Sequence, residues 1–244
     1  MFSFDIENIT KGIGIVTATF ALVGGGSNPM PGEISLAHHG VLFLDELPEF
    51  KRTTIDGLRQ PLEDGNVTIS RAKDTLNYPA QFILVGTKNP CPCGYYGSDQ
   101  PCTCTAVELL RYQKKLSGPI LDRIDMHVTV DTIKHDKLLR TIEGSEGSAA
   151  IKERVERASR RQSERLGAGK SNSTMSNKQI KRHVHLAPET KKFLDQAAEK
   201  LEISARVYMK TVKLAQTIAD LDAADTIDKK HIAEALQYRP LKDV

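Results

Sequence analysis

Apolar residues fall into short continuous runs in the first half of the chain and into helical stripes in the second. Val41-Leu42-Phe43-Leu44 and Phe82-Ile83-Leu84-Val85 are unbroken runs, the pattern of strands buried on both faces of a parallel α/β sheet. The first ends on Asp45-Glu46 and is broken by Pro48; the second ends on Gly86-Thr87-Lys88-Asn89-Pro90. Between them, the spacing of Ile55, Leu58 and Leu62 predicts a helix of about three turns, closed by Asp64-Gly65. Asn66-Val67-Thr68-Ile69-Ser70 and Leu76-Asn77-Tyr78 flank the polar connector Arg71-Ala72-Lys73-Asp74 and read as a β-hairpin. A short helix is predicted over 32–39, after the turn-rich Gly24-Gly25-Gly26-Ser27-Asn28-Pro29. A further helix is predicted near 107–116 and a third strand over 127–130. Alternating helix and strand signals define an α/β domain.

From about Lys134 the strand signals stop. Residues 143–149 and 167–177 are rich in small residues and read as linkers. Between them, 151–166 carries six basic and three acidic residues and little apolar content. Pro188 marks a helix start ahead of Phe193, Leu194 and Ala197. Val207, Thr211, Leu214, Ile218 and Leu221 repeat at 4-3-4-3 spacing, the stripe of a helix packed on others. Asp228 is placed to cap a last helix carrying Ile232, Ala235 and Leu236. An all-α domain therefore follows the α/β domain.

Composition narrows the function classes. With 39% hydrophobic and 27% charged residues, the chain is an ordinary globular protein and excludes collagen-like, mucin-like and wholly disordered classes. The longest apolar candidate, 13–23, is short and interrupted, which argues against a membrane span. It also lacks the flanks of a secretory signal, so a cytoplasmic location is expected. A net charge of +3 is too small for nucleic-acid binding by the whole surface, and any such binding must come from local clusters.

Four cysteines, Cys91, Cys93, Cys102 and Cys104, lie in a C-x-C-x8-C-x-C arrangement. Two close thiolate pairs suit a structural tetrahedral Zn²⁺ with no open position for catalysis. The competing reading is four reduced surface thiols. Asp45 and Glu46, leaving a buried strand, match the Walker B pattern, in which the first carboxylate holds Mg²⁺ and the second polarises the attacking water. An ordinary acidic strand exit has the same appearance. Asn89 at the neighbouring strand end could position that water or simply form a turn before proline. Arg123 could reach a phosphate across a subunit boundary or pair with Asp122 or Asp125. Arg206 could contact phosphate or face solvent.

Several motifs together carry a family resemblance: Gly24-Gly25-Gly26-Ser27, Pro31-Gly32-Glu33-Ile34-Ser35-Leu36-Ala37-His38, residues 40–50, and Leu58-Arg59-Gln60-Pro61-Leu62-Glu63-Asp64-Gly65. Asn89-Pro90-Cys91-Pro92-Cys93-Gly94, Leu116-Ser117-Gly118-Pro119-Ile120-Leu121-Asp122-Arg123-Ile124-Asp125 and Ile203-Ser204-Ala205-Arg206 complete the set. Over about residues 23–242 the chain resembles the ComM/YifB family of magnesium-chelatase-like AAA+ ATPases. The resemblance implies a partial AAA+ αβα core with a parallel sheet at 23–135, a linker with a basic helix at 136–180, and a helical lid at 181–244. It also implies roles: Asp45 and Glu46 as Walker B, Asn89 as sensor 1, Arg123 as a trans-acting finger and Arg206 as sensor 2. ATP and Mg²⁺ are the implied cofactors. The implied partners are a homo-oligomeric ring, a hexamer in the family, or an intact neighbouring subunit. DNA, contacted by Arg71 and Lys73 of the hairpin, is the implied substrate of branch migration during natural transformation.

No G-x-x-x-x-G-K-[S/T] occurs in the 244 residues. The resemblance implies a Walker A loop and a Lon-like domain upstream of the point where similarity begins. The chain is therefore read as a truncated copy, with 1–22 an unrelated or disordered leader and little ATP hydrolysis of its own. The alternative is a non-enzymatic, zinc-stabilised DNA-binding or assembly module.

Overall fold

The computed structural model describes residues 19–25, 30–70, 75–116, 118–130 and 146–240. They form two compact units divided between Ile124 and Asp125, ahead of the boundary expected at 135. In the first unit, α1 (Thr19–Val23) leads into the two-residue strands β1 (Gly24–Gly25) and β2 (Met30–Pro31), which pair antiparallel. Part of the expected leader thus belongs to the core: Leu22 is fully buried beside Ile34, Leu42, Leu44 and Leu58. The backbones approach so closely here that a Cβ on Gly32 would meet the Leu22 carbonyl oxygen at 2.4 Å. Only glycine fits there.

After α2 (Glu33–Leu36) come β3 (Val41–Leu44), α3 (Arg52–Gly57), α4 (Arg59–Asp64), β4 (Asn66–Ser70), β5 (Thr75–Pro79) and β6 (Ile83–Gly86). The predicted three-turn helix is instead the pair α3 and α4. Pro61 has no N–H to donate to the carbonyl of Gly57, so the ladder breaks around Leu58. Gly65, in the left-handed region at φ 67°, ends α4. β4 and β5 form the predicted hairpin, with Asn66 opposite Pro79 and Ser70 opposite Thr75. Its connector, with Arg71 and Lys73, lies outside the described residues.

β3 and β6 pair in parallel, Val41 with Ile83 and Leu44 with Gly86, as their apolar runs predict. One face of this pair is buried through Leu42 and Leu44. The other is not, contrary to the expectation for continuous apolar runs: Phe43, Ile83 and Val85 are 36%, 54% and 42% exposed. The predicted third strand over 127–130 is also corrected. These residues are irregular, with Val128 66% and Val130 84% exposed. They pair with neither β3 nor β6, whose sheet has two strands among the described residues. The unit closes with α5 (Ala106–Gln113) and α6 (Gly118–Leu121).

The second unit is helical: α7 (Ser148–Leu166), a 3₁₀ turn (Asn172–Thr174), α8 (Asn177–His183), α9 (Pro188–Lys200), α10 (Ala205–Leu221) and α11 (Lys229–Gln237). Residues 151–177, expected as a basic helix and a linker, are instead integral to it. Ala158, Gln162 and Leu166 of α7 are buried, as are Asn172 and Met175. The reason is ionic as well as apolar. Asp220, fully buried in α10, accepts from both terminal nitrogens of Arg165, one at 3.0 Å. Asn172 donates to the same carboxylate at 2.8 Å, and Gln216 at 3.3 Å. Arg161 approaches it at 3.9 Å and donates to the Ala223 and Ala224 carbonyls, capping the end of α10. Two arginines of a helix that reads as a solvated charge run are thus the ligands of a buried carboxylate.

Among the described residues no helix is long and apolar enough to cross a membrane. Removing one partner of a buried ion pair leaves the other charge uncompensated, at a cost of about 3 kcal/mol or more. Asp220→Ala is therefore expected to lower the urea-unfolding free energy of the chain by about that amount, and a loss below about 1 kcal/mol would contradict the network's role.

Candidate functional site

In a parallel pair, both strands deliver their exits to the same edge. Asp45 and Glu46 leave β3 there, and Thr87, Lys88 and Asn89 leave β6. The two exits are tied together. Thr87 donates its hydroxyl hydrogen to Asp45 Oδ1 at 2.5 Å, and its oxygen accepts the Glu46 N–H at 2.9 Å. The Thr87 carbonyl accepts from Leu47 N at 2.9 Å, and the Thr87 N–H donates to the Leu44 carbonyl at 3.1 Å. These bonds turn the chain out of β3 into the 3₁₀ turn Leu47–Glu49, with Pro48 at its second position. Glu46 itself sits in the left-handed region at φ 49°, ψ 47°. That conformation costs a residue with a Cβ about 1–2 kcal/mol and is held by the surrounding bonds. Both carboxylates are exposed at the edge.

Behind them lies Tyr112 of α5, 6% exposed. Its phenol is pushed up, first by burial and then by the negative field of Glu49, with smaller contributions from Glu46 and Cys91; the backbone amide of Asn89 acts in the opposite direction. Lys115 pairs with Glu49 at 2.9 Å and lies 5.2 Å from the centre of the Tyr112 ring. Tyr112 is therefore the junction between the acidic exit, Asn89 and the cysteine loop.

That loop is a compact thiol cluster. The sulfurs of Cys91, Cys93, Cys102 and Cys104 lie within 4.8 Å of one another and could hold a metal ion. Cys91 is buried, and Gly94 at φ 85° turns the chain so that its N–H reaches the Cys91 carbonyl at 3.1 Å. Backbone amides point at the sulfurs: Tyr96 N–H donates to Cys91 Sγ at 3.3 Å, and those of Tyr95 and Thr103 lower the Cys93 thiol to about 5. Burial pushes Cys104 up to about 12. Amide donors thus favour the thiolate at Cys93 while burial disfavours it at Cys104. The loop is anchored to α5 by a reciprocal cap. The Thr105 N–H donates to Glu108 at 2.8 Å and the Glu108 N–H to Thr105 Oγ1 at 3.3 Å.

Arg123 pairs with neither Asp122 nor Asp125. It forms a close ion pair with Glu63, at the end of α4, and donates to the Pro119 carbonyl at 2.7 Å. Arg206 is exposed near the start of α10, in the second unit, one residue beyond the first helical position after the Ser204 cap. The sequence reading missed Thr87, Tyr112 and Glu63. A hydroxyl residue one position after the end of an apolar run and its glycine was a usable signal for Thr87; Tyr112 and Glu63 carry none, since each matters through a partner distant in sequence.

A parallel pair with an acidic exit on one strand, an amide on the next and an appended helical unit is the architecture of a partial AAA+ αβα core with its helical domain. The chain belongs to the magnesium-chelatase family: the model for magnesium chelatase subunit ChlI matches residues 15–138, and that for the ChlI C-terminal region matches 145–239. The first match begins inside the stretch expected as an unrelated leader. Competence protein ComM of Haemophilus influenzae is 45% identical over 221 residues, 91% of this chain and 43% of its own length. The uncharacterized protein YifB of Escherichia coli is 42% identical over the same shares. Magnesium-chelatase subunit ChlI of Chlorella vulgaris is 28% identical over 108 residues, 44% of this chain and 25% of its own. The chain spans less than half the length of these relatives.

Proposed function

We propose that these residues supply the hydrolytic half of an ATP–Mg²⁺ site in a ring-forming, DNA-remodelling AAA+ ATPase. The observation that carries this reading is the Thr87 clamp, which fixes Asp45 and Glu46 at the same sheet edge as Asn89. Asp45 would hold Mg²⁺, which neutralises charge on the transferring phosphate. Glu46 polarises the attacking water, and Asn89 orients it. Arg123, released from Glu63, reaches a phosphate bound at a neighbouring subunit, and Arg206 contacts phosphate from the helical domain. Arg71 and Lys73 contact the DNA backbone from the hairpin.

The phosphate cradle must come from outside these 244 residues, since they contain no G-x-x-x-x-G-K-[S/T]. The exposed apolar face of Phe43, Ile83 and Val85 supports this, being a surface that further strands and helices of an αβα core would cover. Phosphate release from Mg-ATP tests the reading. The chain alone is expected to show none above background. Mixed with the P-loop-bearing segment of a relative, it should reach on the order of 1 s⁻¹, lost in Glu46→Gln and reduced in Arg123→Ala. Turnover by the chain alone, or a mixture indifferent to Glu46→Gln, would overturn it. A mixture with no turnover that still binds DNA favours the assembly-module alternative.

The cysteine cluster is proposed to be a structural zinc centre. Tetrahedral Zn²⁺ with bonds of about 2.3 Å needs sulfurs about 3.8 Å apart. Three of the pairs here stand at 3.3, 3.5 and 3.8 Å. Chain expressed with added zinc should contain about one equivalent, lose it in Cys102→Ser and melt at a lower temperature after chelation. Zinc content near zero with an unchanged melting temperature would refute the assignment.

A further inference from the structure

Where α7 ends and α8 begins to pack beside it, the helical unit has a cleft of about 420 Å³ whose lining includes Arg165, Lys178, Gln179, Arg182 and His183, and no carboxylate. Arg165 is already neutralised by Asp220. Lys178 and Arg182 are exposed, stand one turn apart and face the same cleft. Gln179 gives its side-chain oxygen to the Ser176 N–H at 2.9 Å and to the Ser176 hydroxyl at 3.0 Å. Its NH₂ group is then the part that remains to serve the cleft. The walls therefore offer hydrogen-bond donors and positive charge, with Arg165 alone balanced.

The charge pattern of α8 points the same way. Lys181, Arg182 and His183 in its last turn complement the helix dipole, but Lys178 in its first turn opposes it, and that turn has no acidic residue. A cation at the positive end of a helix, with no carboxylate lining the cleft it faces, is a poor stability device. The cleft lining holds no Asp or Glu to complement Lys178 and Arg182, which leaves that place to a mobile anion.

We infer that this cleft binds the phosphodiester backbone of a nucleic-acid strand, with Lys178 and Arg182 each taking a phosphate and His183 adding charge when protonated. A cleft of this size, with two exposed cations one turn apart in its lining, suits successive backbone phosphates. The inference rests on the DNA-remodelling reading and adds to it a second contact area, independent of the hairpin.

The test uses the full 244-residue chain and a fluorescein-labelled single-stranded oligonucleotide, with anisotropy read across a salt series. Lys178→Ala/Arg182→Ala should lower the slope of log affinity against log salt by about 1.4, and weaken binding at 0.1 M salt roughly tenfold or more. Lys191→Ala/Lys192→Ala, on the exposed side of α9, makes the same charge change and should leave both within about twofold of the parent. All variants are checked by circular dichroism. Added inorganic phosphate at constant ionic strength should weaken DNA binding by the parent and not by the cleft variant. Equal losses in the two double variants, or none in the cleft variant, would overturn the inference while leaving DNA binding itself intact. An Arg71→Ala/Lys73→Ala variant measured in parallel reports on the hairpin separately. A parent chain with no affinity for the oligonucleotide would overturn both.

Discussion

A single hydroxyl ties together the two strand exits of the first unit. Thr87 joins the ends of two parallel strands by donating to the Asp45 carboxylate and accepting the Glu46 amide hydrogen, so two adjacent acidic residues are held in different postures by one side chain. The rest of the edge follows from that junction. Glu46 is kept in a left-handed conformation, the 3₁₀ turn starts at Leu47, and Glu49 reaches Lys115 beside Tyr112. Tyr112 lies against the Asn89 backbone and within the field of Cys91, so the cysteine loop and the acidic exit share one buried side chain. Strain at Glu46 is the local cost of a posture that a helical or extended residue could not adopt.

The arginines illustrate how context decides what a charge does. Arg165 and Arg161 converge on Asp220, and Arg123 is held by Glu63. Lys178 and Arg182 face a cleft with no acid in its lining. The first group binds elements together. The second presents charge to solvent, where only a mobile anion can complement it. Residue type alone does not separate these uses; burial and the presence of a carboxylate within reach do.

Much of the fold was legible because it depends on local pattern. The two apolar runs match β3 and β6, the Asn66–Ser70 and Leu76-Asn77-Tyr78 segments match the hairpin, and Pro188 and Asp228 marked helix starts. The four-cysteine cluster was legible for the same reason, its ligands being close in sequence. What failed depended on partners far along the chain. The 127–130 segment has strand-like residues but pairs with neither strand of the parallel sheet, and the 151–177 stretch looks solvated until Asp220 is placed beside Arg165. Pro61 was visible in the sequence, and its effect on the predicted three-turn helix follows from the missing N–H. Of the candidate site, Asp45, Glu46 and Asn89 share one edge by virtue of strand pairing, whereas the partner of Arg123 was identified only by the structure.

If the junction at Thr87 is what makes the acidic pair competent, a variant that keeps the hydroxyl should behave differently from one that keeps the shape. Phosphate release by the chain combined with a P-loop-bearing segment measures this directly. Thr87→Ser should retain turnover within about threefold, while Thr87→Val, near-identical in volume, should lose tenfold or more, equivalent to about 1.4 kcal/mol of transition-state stabilisation. Equal turnover in Thr87→Val and the parent would contradict the account.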